Sequence, residues 1–357
     1  MSHPIDLKEF TLNDMERLTA TWGQPAFRGR QLLKWLYKGV FDFREMTDVS
    51  RSFREELGRR AVIGQLRVEQ ELEAADGCRK LSFALGDGSL VESVLIPEEG
   101  HYTLCLSTQV GCAQGCRFCL TARGGLVRQL TAGEIVGQVL AVRRILNEKN
   151  EKNEKNQKPP DGPLPLLTNL VFMGMGEPLA NFPQLLKALT MITAPWGLNF
   201  SSRRITVSTV GLAPLIPLLG REARVNLTVS LNAPDDRTRD RLMPVNRRYP
   251  LAILLAACRS FPLPRHRRIT FAYVLLKDLN DAPDQARQLA RLLKGFRAKI
   301  NLIPFNPHPK LPFSPPSGER LLEFQEILRG SNYTVLIRES RGLEIGAACG
   351  HLVGTGA

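Results

Sequence analysis

Between residues 102 and 338 the chain alternates short apolar, β-branched runs with helical stretches, and this alternation restricts the fold more than any other feature. Strand-like runs occupy 102–107, 169–173, 204–208, 226–231, 269–276, 300–304 and 333–338. Helical periodicity fills most of the gaps, at 132–146, 182–193, 251–260, 283–294 and 319–329, the first behind a Thr131/Glu134 capping box. Such a succession implies an α/β fold, a parallel sheet covered by helices, as a barrel or as an open doubly wound sheet. Six or seven units are too few for an eight-fold barrel. In either architecture the ligand site forms at the C-terminal ends of the strands.

The preceding segment has a different pattern. Phe27, Leu32, Leu33, Trp35 and Leu36 recur at helical spacing, whereas 80–85 and 89–96 alternate around Gly86-Asp87-Gly88, a hairpin pattern. Residues 1–90 therefore read as a small helical unit leading into a β-ribbon, and 91–357 as the core. A four-fold Asn-Glu-Lys-type repeat and a proline-rich stretch, 147–163, read as a mobile surface insertion or as an extension of the helix before it.

Forty-eight Lys and Arg against 35 Asp and Glu give a net charge of +13, which favours a polyanionic partner. Residues 203–268 hold thirteen arginines, no lysine and four acids, a local net of +9. The guanidinium fork suits phosphate, so this segment is expected to meet an RNA or DNA backbone, with a solvated, salt-bridged surface as the alternative. No run is apolar and long enough for a membrane span and no secretory leader is evident, so a cytoplasmic protein without a membrane partner is expected.

Seven cysteines, three of them within eight residues, suit a metal or redox site in a reducing compartment. Cys112-Ala-Gln-Gly-Cys116-Arg-Phe-Cys119 places three thiols on a loop after a strand, enough to ligate three irons of a [4Fe-4S] cluster and leave the fourth open. Zinc is the alternative, although structural zinc prefers paired C-x2-C units. Gly174-Met-Gly176-Glu177-Pro178 follows another strand; its glycines permit close backbone approach to a ligand, and Glu177 is a candidate acceptor for an ammonium group.

Together these elements resemble the radical S-adenosylmethionine superfamily. Val91-Glu92-Ser-Val94, Tyr102-Thr-Leu-Cys105 through Cys112, Gly174 to Pro178, Ser230-Leu231-Asn232-Ala-Pro234, Ile300 to Pro307 and Ala347-Ala-Cys349-Gly350 narrow the resemblance to the bacterial RNA adenine carbon-2 methyltransferases, the RlmN family. The resemblance implies a partial (βα)6 barrel with an N-terminal helical RNA-binding domain. It also implies S-adenosylmethionine and a [4Fe-4S] cluster on Cys112, Cys116 and Cys119, with Gly176, Glu177, Ser208, Ser230, Leu231, Asn232 and Asn306 around the S-adenosylmethionine.

In that family one S-adenosylmethionine methylates a cysteine, here Cys349. A second is cleaved to a radical that takes hydrogen from the new methyl group, and the resulting carbon radical adds to adenine. By the same resemblance Glu92 accepts the ring proton, and Cys105 resolves the thioether through a transient disulfide with Cys349. The implied substrates are 23S rRNA and tRNA. The implied donor is a reductant such as flavodoxin or ferredoxin, and the implied state is a monomer. Two other readings stay open: the sister carbon-8 methyltransferases, and an iron-sulfur RNA-binding module without methyl transfer. Read without the resemblance, Cys349 and Cys105 are equally small buried hydrophobes, Glu92 an exposed strand acid and Asn306 a turn residue.

Overall fold

The computed structural model describes residues 4–155 and 166–354. The chain opens with β1 (Ile5–Asp6), α1 (Leu12–Thr21), α2 (Phe27–Tyr37), α3 (Arg51–Arg60) and β2 (Ala61–Val62), which pairs with β1. Thr11 and Asp14 form a capping box that starts α1. Leu32, Leu33 and Leu36 on one face of α2 meet Met15, Phe53 and Leu57 in a core of their own.

A meander follows, β3 (Arg67–Glu73), β4 (Arg79–Ala84), β5 (Leu90–Glu98) and β6 (His101–Cys105). The expected turn at Gly86-Asp87-Gly88 sets Ala84 opposite Leu90. A side hairpin, β7 (Gln109–Gly111) and β8 (Leu126–Gln129), encloses the short α4 (Leu120–Arg123). The rest alternates: α5 (Ala132–Lys155), β9 (Leu166–Phe172), α6 (Phe182–Thr193), β10 (Ile205–Thr209), α7 (Leu215–Glu222), β11 (Asn226–Ser230), α8 (Asp236–Leu242), α9 (Leu251–Arg259), β12 (Ile269–Leu275), α10 (Pro283–Leu292), β13 (Ala298–Pro304), α11 (Gly318–Gly330) and β14 (Thr334–Ile337).

All the strands from β3 to β6 and from β9 to β14 join one ten-stranded sheet, ordered β14-β13-β12-β11-β10-β9-β6-β5-β4-β3. From β6 onward neighbours are parallel and follow chain order. A doubly wound sheet would reverse its order at a switch point. Here each strand adds outside its predecessor, so right-handed crossovers put every helix on one face and the sheet curls as a partial barrel. The ribbon β3–β5 extends that same sheet.

Alternation along the strands gives the two faces opposite chemistry. Ile205, Val207, Leu227, Val229, Phe271, Ile300 and Leu302 are buried in the core beneath the helices. Thr206, Ser208, Asn226, Thr228 and Ser230 point the other way, into the barrel. Closed barrels fill that space with branched apolar layers; this one is lined with hydroxyl and amide groups. The capping box at Thr131 and Glu134 forms as expected, but α5 does not stop at 146. It runs on to Lys155, so the first nine residues of the repeat continue the helix instead of forming a loop, as Glu and Lys favour. The remainder of the proposed insertion, 156–163, lies outside the described residues.

Candidate active site

Three cysteines are presented by the loop that β7 and β8 pinch off. The Cys112 amide donates to the Gly125 carbonyl (2.7 Å) and the Cys119 amide to that of Cys116 (3.2 Å), fixing both ends of the loop. Gly111 is left-handed (φ 76°), and any Cβ there would strike the Gly125 carbonyl, so the pinch requires glycine. Cys112 and Cys116 are buried and Cys119 half-buried. Burial pushes the Cys112 thiol up to about 11 and that of Cys116 well above its ordinary value; the charge of Cys119 adds to both, and that of Cys112 to Cys116. Thiols this close suit a cationic group, which would ionise them. Among the described residues no three His, Cys, Asp or Glu converge as ligands of a single metal ion. A cubane takes each thiolate at a different iron, so its ligands stand further apart than those of one ion.

Gly174 to Pro178 follow β9 at the same end of the sheet and lie on the segment after β6. The Gly174 amide donates to Leu106 O (3.0 Å), the Met175 amide to Ser107 Oγ (2.8 Å) and the Glu177 amide to Gln109 Oε1 (2.7 Å). Gly176 (φ 97°) has no room for a Cβ, which would come within 2.5 Å of Gln109 Cβ. The glycine is thus required by contact with this chain itself, not by a ligand alone. Glu177 is also tied to this chain. Its carboxylate accepts from the amides of Leu179 (3.0 Å) and Val210 (2.8 Å), joining the ends of β9 and β10. Burial lifts its carboxyl to about 7, against the pull of those amides and of Thr209.

Ser208, Ser230, Leu231 and Asn232 lie at the C-terminal ends of β10 and β11, on the rim that Glu177 also occupies. Asn232 is buried in a left-handed conformation (φ 58°), its Oδ1 accepting from the Val274 amide (2.8 Å), so its side chain braces β12. The residue that organises this rim, Arg239 on α8, was not singled out from the sequence. Completely buried, it donates from Nε to Leu231 O (3.0 Å) and from Nη2 to Val210 O (2.7 Å) and Ser230 O (3.2 Å), and from Nη1 to Asn246 Oδ1 (2.8 Å). Desolvation lowers its pKa to about 10. Only its place between Asp236 and Asp240 on a short helix hinted at an internal role.

Cys349 is carried by a segment that threads across this end of the barrel. The Leu120 amide donates to Gly350 O (2.7 Å) and Thr121 Oγ1 to Leu352 O (2.5 Å), so the segment rests on the helix after the cysteine loop. Asn306 Nδ2 donates to Cys349 O (3.4 Å), and His351 Nε2 to Asn306 O (3.1 Å). The amides of Val353 (2.9 Å) and Gly354 (3.3 Å) donate to Glu92 Oε2. Glu92 is fully buried, not an exposed strand acid, with Lys80 Nζ 3.3 Å from Oε1. Cys349 presents surface to solvent, yet desolvation by the chain around it raises its thiol pKa; Arg338 opposes that shift and the charge of Cys119 adds to it. Burial raises the Cys105 thiol as well, and the charge of Cys349 contributes. All seven cysteines are free. The structure therefore brings Cys105, Cys349, Glu92 and the cysteine loop to one end of the barrel.

The arginine-rich segment does not gather there. Strands and helices of a barrel run in opposite directions, so residues just before a strand lie at the far end. Arg237, Arg239, Arg241, Arg247 and Arg248 follow β11 at the mouth, and Arg239 is wholly internal. The other eight arginines precede β10, β11 and β12 or end α7 and α9, at the floor. The segment expected to meet a nucleic-acid backbone is thus divided between the two ends of the barrel and is not one surface. A cleft of about 560 Å³ beside Phe200, Ser202 and Arg224 also opens at the floor, away from the thiols.

A partial barrel with three thiols on a loop at its mouth and a glycine-rich turn on the next strand defines a radical S-adenosylmethionine enzyme. The whole chain is similar to a radical SAM methyltransferase structure from Sphaerobacter thermophilus, with a TM-score of 0.88 and 42% identity, covering 98% of this chain and 99% of that one. It is 49% identical over 351 residues to the dual-specificity RNA methyltransferase RlmN of Syntrophobacter fumaroxidans, covering 98% of both chains. It is 49% identical over 355 residues to the RlmN of Geobacter sulfurreducens, covering 99% of this chain and 93% of the relative. Residues 5–63 match a family model described as the ribosomal RNA large subunit methyltransferase N-terminal domain. The chain belongs to the RlmN family of radical SAM methyltransferases. Among the described residues no helix is long and apolar enough to cross a membrane.

Proposed function

We propose that the protein methylates carbon 2 of an adenosine in the peptidyl-transferase region of 23S rRNA and of the adenosine 3' of the anticodon in tRNA, as a cytoplasmic monomer. The observation that carries this reading is the segment holding Cys349, bonded to Leu120 beside the cysteine loop, to Asn306 and to Glu92. When bound, a [4Fe-4S] cluster on Cys112, Cys116 and Cys119, fed by a donor such as flavodoxin or ferredoxin, supplies with S-adenosylmethionine the radical chemistry that an electron-poor ring carbon requires.

The chain's own residues do the rest. Cys349 carries the methyl group, and Asn306 holds its carbonyl so that the sulfur keeps one position. Gly176, Glu177, Ser208, Ser230, Leu231, Asn232 and Asn306 line the place of S-adenosylmethionine, with Arg239 locking the carbonyls of Val210, Ser230 and Leu231 behind it. Glu92 receives the ring proton. Because Oε2 already accepts two amides and Oε1 faces Lys80, accepting a proton loosens its hold on Val353 and Gly354, which links the proton step to the segment that carries the sulfur. Cys105 Sγ, as the thiolate, then attacks the sulfur of Cys349: the bond from sulfur to the transferred carbon breaks, the carbon keeps the bonding pair and takes a proton to become the methyl group, a disulfide forms, and two-electron reduction restores both thiols. Residues 1–90 serve as the RNA-binding accessory unit and 91–357 as the core; that the relatives are dual-specificity RNA methyltransferases supports two RNA substrates.

Intact-mass analysis of protein purified from active cells tests this reading. One methyl group on Cys349, absent from Cys349→Ala, together with 2-methyladenosine in digests of treated RNA, is the expected result. An unmodified Cys349 in active protein overturns the mechanism, and 8-methyladenosine overturns the carbon assignment.

A further inference from the structure

The floor of the barrel lies opposite every residue in the proposed chemistry, yet it carries most of the charge in the arginine-rich segment. Resting on the reading of the protein as an RNA methyltransferase, we propose that this floor is a second RNA-binding surface, which holds the phosphate backbone of folded RNA outside the target loop.

Contiguity is the first support. The loops before β10, β11, β12 and β13 are stitched side by side: Asn226 Nδ2 donates to Arg203 O (2.8 Å), Arg267 Nη1 to Arg224 O (2.6 Å), and Arg297 Nη1 to Arg265 O (2.6 Å). Arg268 Nη1 reaches Thr334 Oγ1 at the start of β14 (2.7 Å). Arg203, Arg224, Arg265, Arg267, Arg268 and Arg297 thus form one band across the parallel sheet. The band is close enough for the charge of Arg203, after desolvation, to lower the pKa of Arg267.

The second support is that, among the described residues, no carboxylate is ion-paired to the band, although Glu222 lines the floor cleft beside Arg224. Among the described residues none of these six guanidinium groups is within salt-bridge distance of a carboxylate, whereas arginines on the outer helices, such as Arg287, Arg320 and Arg329, are each paired. The side chains of Arg203, Arg224 and Arg265 also make no hydrogen bond within the described chain. Clustered cations without counter-charges repel one another, so the arrangement costs stability unless a polyanion meets it. Guanidinium forks of this kind match phosphate oxygens.

Distance separates an RNA partner from an acidic redox protein. Strands of five to seven residues at about 3.3 Å each set the floor roughly 17–23 Å from the mouth. An electron donor has to approach the cysteine loop, at the mouth. Folded RNA whose target loop enters the mouth extends well beyond that distance, and a flanking helix can lie along the side of the barrel to reach the floor.

The test compares two probes: a stem-loop with the target adenosine alone, and an extended rRNA fragment that contains the same stem-loop. R203Q/R224Q/R265Q removes three charges that bond to nothing in the described chain; R287Q/R320Q/R329Q removes three from the outer helices as a control. The expected result is a log-log salt slope for the extended fragment that falls by about 2–3 in the floor variant, since each phosphate contact contributes about 0.7–0.9. The slope for the stem-loop, and its methylation, stay as in the unsubstituted protein. An unchanged slope for the extended fragment overturns the proposal, as does an equal fall in the control. So does slowed reduction by flavodoxin with RNA binding intact, which assigns the floor to a protein donor. Methylation of the stem-loop by the unsubstituted protein is read separately, and its failure counts against the proposed activity instead.

Discussion

Lys80→Met severs the buried ion pair that anchors the Cys349 segment. The pair is Lys80 Nζ to Glu92 Oε1 at 3.3 Å, with side chains 10% and 0% exposed. Methionine keeps much of the apolar stem but leaves a carboxylate with no counter-charge in a dry site. Removing one member of a buried pair costs about 3–5 kcal/mol. The amides of Val353 and Gly354 still donate to the stranded carboxylate, which places the expected loss near the lower end, about 3 kcal/mol. Glu92→Gln strands Lys80 in turn and converts two charge-assisted bonds into neutral ones of roughly half the strength. The double variant K80M/E92Q strands neither charge, so it should unfold later than either single variant, with a coupling of about 2 kcal/mol. Urea midpoints at constant slope measure the stabilities, and hydrogen exchange at Val353 and Gly354 reports the segment itself. A K80M midpoint within about 0.5 kcal/mol of the unsubstituted protein refutes the reasoning, and so does a double variant no better than the singles.

Two more outcomes follow from buried groups at the rim. Arg239→Met leaves the carbonyls of Val210, Ser230 and Leu231 without their donor, at about 1–3 kcal/mol for each acceptor left unsatisfied. A loss of at least 3 kcal/mol in chemical unfolding, with weakened S-adenosylmethionine binding in equilibrium dialysis and partial recovery in Arg239→Lys, is expected; unchanged binding counts against the locking role. Glu177 has its carboxyl raised to about 7 from 4.5. Its contribution to stability is therefore fully present below about pH 4.5 and lost as pH rises through 7, a difference of about 3 kcal/mol. Stability measured against pH should fall over that window less steeply in Glu177→Gln than in the unsubstituted protein, and parallel curves for the two would contradict the assignment.

Much of the barrel was legible because it rests on local rules. Period-two runs became β10 and β11, the Thr131/Glu134 box started α5, and Gly86-Asp87-Gly88 turned a hairpin. The cysteine loop was legible for the same reason, its spacing being written in eight residues. What failed was anything that depends on direction or distant contact. Thirteen arginines look like one patch until the strands between them send their neighbours to opposite ends. Glu92 could be read as exposed because Val353 and Gly354, its amide donors, lie 261 and 262 residues away. Arg239 looks like surface on a polar helix until three carbonyls from two strand ends converge on it. Gly176 carries a second constraint that its own motif does not show, because the side chain of Gln109, which excludes a Cβ there, lies on another strand segment.

The order in which a ribosome makes the chain gives the Cys349 segment a further meaning. Glu92, Leu120 and Asn306, which hold the segment, are synthesised well before it, so the cysteine loop emerges in a nascent chain before Cys349 exists. The closing contacts span some of the longest loops in the molecule, and contacts of that separation form late. Under the proposed mechanism, completion of this end of the barrel waits for translation of residues 349–354, and a chain stalled before them lacks the thiol that carries the methyl group.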